Sequence, residues 1–370
     1  MSVARLPRLH WVCPQPTPYN DFLFRSLSAD PEIDLTVHFM EPTLPSHPWK
    51  SRMALGFISR TYTRTFGIDW HLLHLAARDK KSFFIIGGWH EPTVISLINL
   101  LISAHRPFAI WTDTPNLEQQ RNPVKAWLRN IWLQRIFTHA LYIMGTGVPA
   151  LAALEEMHCH KDKLVNFPYF IDLDHFVPLT GSIKRDFNDQ IIFLSSGRLV
   201  NSHKGYDLAI RALAIAKGRA TNIRFFYKIA GVGQDKEALE TLAKQVGILE
   251  NMKLPGWLEP DFLPEFYRSG HIFLHPARFD PYGNSVIEAM ACGLPVIGSD
   301  RTGAVIDRIE NMKNGLIHRS NDVNDLAEKI MYMFSHVEKL NTMGKAARHT
   351  VELWPVFKGI EKIKFMIANL

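Results

Sequence analysis

The stretch "HIFLHPARFDPYGNSVIEAMACGLPVIGSD", His271 to Asp300, reads as one strand, one helix and a second strand. "HIFLHP" is an apolar run too short for a helix, "SVIEAMACG" has helical spacing and stops at Gly293, and "LPVIGSD" is again short and apolar. That alternation is the signature of a β-α unit on a parallel sheet. The intervening loop carries Asp280, Pro281 and Gly283 and feeds a helix N-terminus at Asn284 or Ser285.

The same alternation extends in both directions. Upstream, the strand candidates are Leu9–Cys13, Asp34–Met40, Ser82–Gly88, Phe108–Asp113, Ala140–Gly145 and Leu164–Phe170. A polar, turn-rich stretch, Ile171–Gln190, reads as a linker. A second series follows at Ile191–Gly197, Ile223–Gly231, Met252–Trp257, His271–Pro276, Leu294–Asp300 and Gly315–His318. The expected architecture is α/β, with two Rossmann-like parallel-sheet domains facing each other across an interdomain cleft. In such sheets, ligands bind beyond the carboxyl ends of the strands.

Bulk properties agree. A chain of 370 residues, 46% hydrophobic, suits two buried cores. The net charge of +6 comes from mixed charges without a polybasic tract, so nucleic acid is not an expected partner. Three scattered cysteines, Cys13, Cys159 and Cys292, suit a reducing compartment and a cytoplasmic protein. The proline-broken N-terminus shows no signal peptide. The apolar helix candidate Pro92–His105 falls short of the roughly 20 residues needed to span a bilayer.

The unusual residues collect in the turns after strands. At the Asn284 helix start, free amides and the helix dipole favour an anion such as phosphate, with Gly283, Asn284 and Ser285 around it. Glu288, one turn further, could accept hydrogen bonds from vicinal ribose hydroxyls, and Asp280 could reach the hydroxyls of a sugar. Read alone, the same two residues are equally an ordinary helix-surface acid and a turn former.

"D-P-Y-G-N-S-V-I-E-A-M-A-C-G-L-P-V-I" resembles the motif "E-x-F-G-x-x-x-x-E-A-x-A-x-G-x-P-V-I" of the retaining GT-B glycosyltransferases of family 4, the glycosyl transferases group 1. Asp280 stands where that motif has Glu, one methylene shorter. "SSGRLVNSHKGYDLAIRAL" is similar to the family's "G-R-L-x-x-x-K-G-x-D", which places Arg198 and Lys204 on the donor diphosphate. The turn "AGVGQ" resembles its G-x-G turn, with Gly231 and Gly233, although a bare G-x-G is also a simple strand-to-helix turn. The segment after "PG" resembles its base-recognition segment, near Trp257 and Leu258. "GGWHEPT" resembles the loop that sets a histidine, here His90, by the donor sugar and acceptor, and Asp113 could line the acceptor side.

The resemblance implies residues 1–178 as an acceptor-binding domain, 179–350 as a nucleotide-sugar-binding domain, and 351–370 as a C-terminal helix packing back towards the first. It implies transfer of a sugar from a UDP-, GDP- or other nucleoside-diphosphate sugar to a glycan or lipid-linked acceptor, with retention, no metal and no further cofactor. His90, Arg198, Lys204 and Asp280 would act in catalysis. One departure is the first turn, "CPQPTPYNDF", where prolines replace a Gly-Gly loop and remove amide donors. Tyr19 and Asn20 either substitute for that loop or simply begin a helix. "DLD" at Asp172–Asp174 lies in the linker and reads as structural, and "HCH" at His158–His160 is too closely spaced for a zinc site.

Other classes were weighed. A nucleotide-sugar epimerase of the same fold would need no acceptor. A dehydrogenase would need a G-x-G-x-x-G after a first strand, and neither half has one. A non-catalytic binding module would not need the full charged set. Two segments mix basic and aromatic residues: Trp49–Trp70, with Lys50, Arg52, Arg60, Arg64, Phe57, Tyr62 and Phe66, and the helix candidate Arg121–Phe137. Either Trp127, Leu128 and Ile131 meet anionic lipid on the inner face of the cytoplasmic membrane, or they pack on the sheet.

Overall fold

The computed structural model describes residues 7–41, 56–178, 190–219 and 224–370. It divides into two units, one formed by residues 1–170 with 355–370, the other by 171–354. Lys50, Arg52, much of the linker and Ile223 lie outside the described residues.

In the first unit, seven strands form one parallel sheet: β1 (Leu9–Cys13), β2 (Leu35–Phe39), β3 (Ile58–Arg60), β4 (Phe83–Gly87), β5 (Phe108–Thr112), β6 (Tyr142–Gly145) and β7 (Leu164–Asn166). Their order is β3-β2-β1-β4-β5-β6-β7. Sequence expectation missed β3, an edge strand whose three residues "ISR" are half-buried at best and carry no apolar period. Both sheet faces are covered, and neighbouring strand residues separate onto them. Trp11, Ile85 and Trp111 join Phe24, Phe167 and Ile363 in one core, while Val12, Ile86 and Ile110 join Leu97 and Ile98 in the other. Ile363, Met366 and Ile367 belong to the last helix, Val356–Ala368, which closes the first core although it ends the chain. Its Gly359 lies so close to Phe170 that a Cβ there would sit 2.6 Å from the ring.

The second unit has six parallel strands: β8 (Ile191–Ser196), β9 (Phe225–Ala230), β10 (Met252–Gly256), β11 (Ile272–His275), β12 (Val296–Ser299) and β13 (Gly315–His318). Their order is β10-β9-β8-β11-β12-β13. The helices Tyr206–Arg219 and Val323–Ser335 pack together over one face, with Phe193, Phe225 and Phe334 in the core beneath. In both units the chain lays strands outward in one direction, then returns to lay the others on the opposite side. The reversal falls between β1 and β4 in the first unit and between β8 and β11 in the second. At such switch points the loops diverge and leave a crevice at the carboxyl edge of the sheet.

Candidate functional site

In the second unit that crevice lies between the loops after β8 and β11, and it holds most of the singled-out residues. Arg198 follows β8 by two positions; its side chain is exposed and makes no hydrogen bond or ion pair among the described residues. Lys204 ends the short helix Asn201–Lys204, and Asp280 lies in the loop after β11. They meet: Lys204 Nζ donates to Asp280 Oδ2 at 2.6 Å. The same oxygen accepts from Nε2 of His275, the last residue of β11, at 3.0 Å.

This cluster is almost dry; Asp280 and His275 are both buried. Burial by itself would raise the Asp280 carboxyl, but the Lys204 ammonium and the His275 hydrogen bond outweigh it and hold the carboxyl well below its ordinary range. Burial also lowers the His275 imidazole, against the pull of Asp280. The consistent state is therefore a neutral His275 whose Nε2–H faces an ionised Asp280, with Lys204 as the countercharge. Lys204 and Asp280, expected to face diphosphate and sugar separately, form one ion pair.

Its frame is rigid. Arg278 grips Asp207 through two parallel hydrogen bonds of 2.7 Å and also donates to the Asn201 carbonyl. A bidentate fork of this kind is directional as well as strong. It locks the Lys204 turn against the loop that carries Asp280, and Asp280 N donates to the Arg301 carbonyl at 3.0 Å.

Glu288 lies on the helix Asn284–Ala291, half-buried. Its Oε2 accepts from Tyr267 at 2.6 Å, and the Tyr267 oxygen lies 2.7 Å from Ser196 Oγ at the end of β8. Burial, then the Glu288 charge, holds the Tyr267 phenol well above its ordinary value, so it remains the donor. Burial likewise raises the Glu288 carboxyl, opposed first by the Tyr267 hydrogen bond and then by the charges of His175 and Lys204. One carboxylate oxygen is thus committed, and Oε1 has no protein hydrogen-bond partner among the described residues.

The helix starts at Gly283, whose φ of +91° suits glycine; a Cβ there would lie 2.8 Å from the Thr302 methyl. The first-turn amides of Asn284 and Ser285 have no acceptor within the helix. Asn284 Oδ1, Thr302 Oγ1 and the Tyr206 hydroxyl are buried without hydrogen-bond partners among the described residues. Gly231 and Gly233, expected to contact a cofactor, have a packing reason of their own. A Cβ on Gly231 would lie 1.9 Å from the Gly197 carbonyl oxygen, and one on Gly233 2.4 Å from that of Leu199. Trp257 and Leu258 follow β10, half-buried, on the same sheet edge.

In the first unit His90 follows β4 at the other switch point, exposed, with Nε2 4.0 Å from the Glu91 carboxylate. Asp113 accepts from Tyr169 at 3.0 Å and from Thr146 at 3.3 Å. Tyr19 and Asn20 lie in the first turn of the helix Pro18–Ala29, whose N-cap is Thr17, and neither caps it. Asp172 Oδ1 accepts from the amides of Asp174 and His175, a local turn. A cavity of about 980 Å³ opens beyond β2 and β3, lined by Glu41, Thr61, Tyr62, Thr63, Arg64 and Glu91 among others. Arg64 pairs with Glu41 and, at 3.7 Å, with Glu91.

Sequence reasoning missed His275, Tyr267, the Arg278–Asp207 fork and this cavity. His275 hid as the polar end of an apolar strand. The hydroxyl run "TYT" before Arg64 was a usable signal for the cavity.

Comparison with known proteins follows the same division. Residues 182–350 match the family model described as glycosyl transferases group 1. The chain is 24% identical over 228 residues to mannosylfructose-phosphate synthase of Agrobacterium fabrum, covering 58% of this chain and 50% of that one. It is 26% identical over 198 residues to a GDP-mannose-dependent alpha-(1-6)-phosphatidylinositol monomannoside mannosyltransferase of Mycolicibacterium smegmatis, covering 50% and 51%. The chain thus spans about half the length of these curated relatives. The structure of Anabaena Alr3699/HepE in complex with UDP superposes with a TM-score of 0.79, covering 98% of this chain and all of that one, at 14% identity. That likeness shows the fold, two Rossmann-like domains of the GT-B type.

Proposed function

We propose that this chain, whose residues 182–350 match the family model described as glycosyl transferases group 1, moves a sugar from a nucleoside-diphosphate sugar to an acceptor hydroxyl with retention of configuration and without a metal ion. The observation that carries the reading is the switch point of the second unit. There an uncommitted cation, Arg198, a carboxylate with one open oxygen, Glu288, and the free amides of Asn284 and Ser285 share one sheet edge.

Each part has a task in this chemistry. Glu288 Oε1 accepts a ribose hydroxyl while Tyr267 fixes the carboxylate from behind. Trp257 and Leu258 border the base. As the anomeric C–O bond breaks, its electrons leave on the diphosphate, where Arg198, Lys204 and the helix start stabilise the growing charge. Asp280 serves here by holding Lys204 in place. The acceptor oxygen bonds the anomeric carbon from the face the diphosphate leaves, and its proton passes to the departing phosphate. Catalysis is then mainly positioning and electrostatics.

The likeness of "GGWHEPT" to the family's histidine loop supports a role for His90 towards the sugar, and the hydroxyl- and carboxylate-lined cavity of the first unit suits a glycan or the saccharide part of a lipid-linked acceptor. The three cysteines are buried thiols, which suits a cytoplasmic setting. The curated relatives named above are a synthase and a transferase, so epimerisation gains no support. The test is a panel of nucleotide sugars screened by thermal shift, then NMR of the product made with the donor that stabilises. An α-linked donor giving a β-linked product would refute retention, and loss of activity in EDTA restored by Mn²⁺ would refute the metal-free mechanism.

A further inference from the structure

The helix Pro123–His139 is apolar on two faces. Leu133, Ile136 and Phe137 are buried in the first unit, and Trp132 Nε1 donates to the Trp89 carbonyl at 2.9 Å. On the opposite face Val124, Trp127, Leu128 and Ile131 are 64%, 63%, 54% and 50% exposed. Spaced i, i+3, i+4 and i+7, at about 100° per residue, they form one continuous stripe. Packing on the sheet, the alternative open in the sequence, falls to the other face.

The surrounding charges say what covers the stripe. From Gln119 to His139 there is no Asp or Glu, while Arg121, Lys125, Arg129 and Arg135 supply four cations. Arg135, exposed, continues the stripe by one turn; Lys125, exposed, stands to one side of it, and Arg129, half-buried, lies further round towards the core face. A second copy would bring the same cations against these, on a chain of net charge +6. An apolar stripe on a helix whose charged residues are all cations matches a layer that is anionic at its surface and apolar beneath.

A second element joins it. Phe66 is 94% exposed with φ of +53°, a conformation that bulky residues rarely adopt. Trp70, four residues on, is also exposed. This turn is tied to Thr93, whose hydroxyl donates to the Gly67 carbonyl at 3.2 Å, in the same Trp89–Thr93 stretch that holds Trp132. The turn follows β3 and the helix start follows β5, so in a parallel sheet both belong to the carboxyl edge, as does His90.

We propose that this edge of the first unit docks on the anionic headgroup layer of a lipid bilayer, with Trp127, Leu128, Ile131 and Phe66 entering the headgroup–acyl boundary and Lys125 and Arg135 among the lipid phosphates. The docking stands on these residues alone; that it presents a lipid-borne acceptor rests on the transfer reaction proposed above.

The test is co-sedimentation of the full chain with phosphatidylcholine vesicles and with vesicles half phosphatidylglycerol, at low and high salt. Expected is partition onto the anionic vesicles about tenfold above that onto neutral ones, lost at high salt. Trp127→Ser with Ile131→Ser, and separately Lys125→Glu with Arg135→Glu, lower it by about tenfold with circular dichroism and UDP affinity unchanged. Equal binding to neutral vesicles, or variants that bind like the parent, overturns the proposal. So does a dimer in sedimentation velocity that Trp127→Ser dissolves, since a second copy would then own the stripe. Salt-sensitive docking by a protein that turns over no nucleotide sugar leaves the docking standing and removes the transfer reading; turnover without docking does the reverse.

Discussion

Replacing Glu288 by Gln changes the charge of one side chain and almost nothing of its shape. In the structure Oε2 accepts from Tyr267 at 2.6 Å, while Oε1 has no protein partner among the described residues and is the proposed acceptor of a ribose hydroxyl. Both are hydrogen bonds to a charged acceptor, worth roughly 1.5–3 kcal/mol each, and the ligand-facing one is lost with the charge. Donor affinity should therefore fall about 10- to 150-fold. The Tyr267 contact belongs to the folded protein with or without ligand, so its loss shows as stability rather than affinity. Calorimetric titration of UDP into wild type and Glu288→Gln separates the two, with urea unfolding as the control. A pH series adds a sign. Burial raises the Glu288 carboxyl, so acidification neutralises it at a higher pH than an ordinary glutamate. Because the ligand hydroxyl needs the ionised acceptor, UDP affinity should decline as pH falls through that raised value, and the decline should be absent in Glu288→Gln. Equal UDP affinity of the two proteins near neutral pH would remove Glu288 from the site and refute this reasoning.

Arg198→Ala and Lys204→Ala should each lower kcat more than they raise the donor KM, because leaving-group charge is greatest in the transition state; steady-state kinetics on the identified donor decide it. Gly231→Ala puts a Cβ 1.9 Å from the Gly197 carbonyl oxygen, so it should destabilise the second unit by several kcal/mol in urea titration, before any effect on the ligand is considered. In the first unit His38, buried against His10 at 3.0 Å, is lowered to about 3 by burial and then by the neighbouring His10 and Arg60. Its folded value lies below the unfolded 6.5, so the unfolded chain binds the extra proton and stability falls as pH drops from 6.5 towards 3. At pH 4 the loss from this one group is about 3 kcal/mol, and hydrogen exchange at β1 and β2 should show it, less so in His38→Asn.

Much of the architecture is legible in the chain itself. Short apolar runs separated by longer periodic ones dictate β-α units, because a parallel strand buried on both faces must be continuously apolar and its return path must be helical. All six strands of the second unit fall within runs read from the sequence, although β10, the edge strand "MKLPG", is neither continuously apolar nor buried on both faces. β3 does not, since an edge strand of three residues needs no such run. The motif spacing also places Arg198, Asp280, Asn284 and Glu288 after strands, hence on one sheet edge. Partnership is another matter. Lys204 and Asp280 are 76 positions apart, and no local rule reveals that they share a buried cluster with His275, or that Tyr267 reaches Glu288 across 21 residues. Strand order alone makes these neighbours, by bringing β8 beside β11. The same holds for the helix Pro123–His139. Its sequence is apolar on two sides, and periodicity says only that some face is buried; which one meets the core depended on where Trp89 and the sheet stood, and that left Trp127 and Ile131 facing solvent.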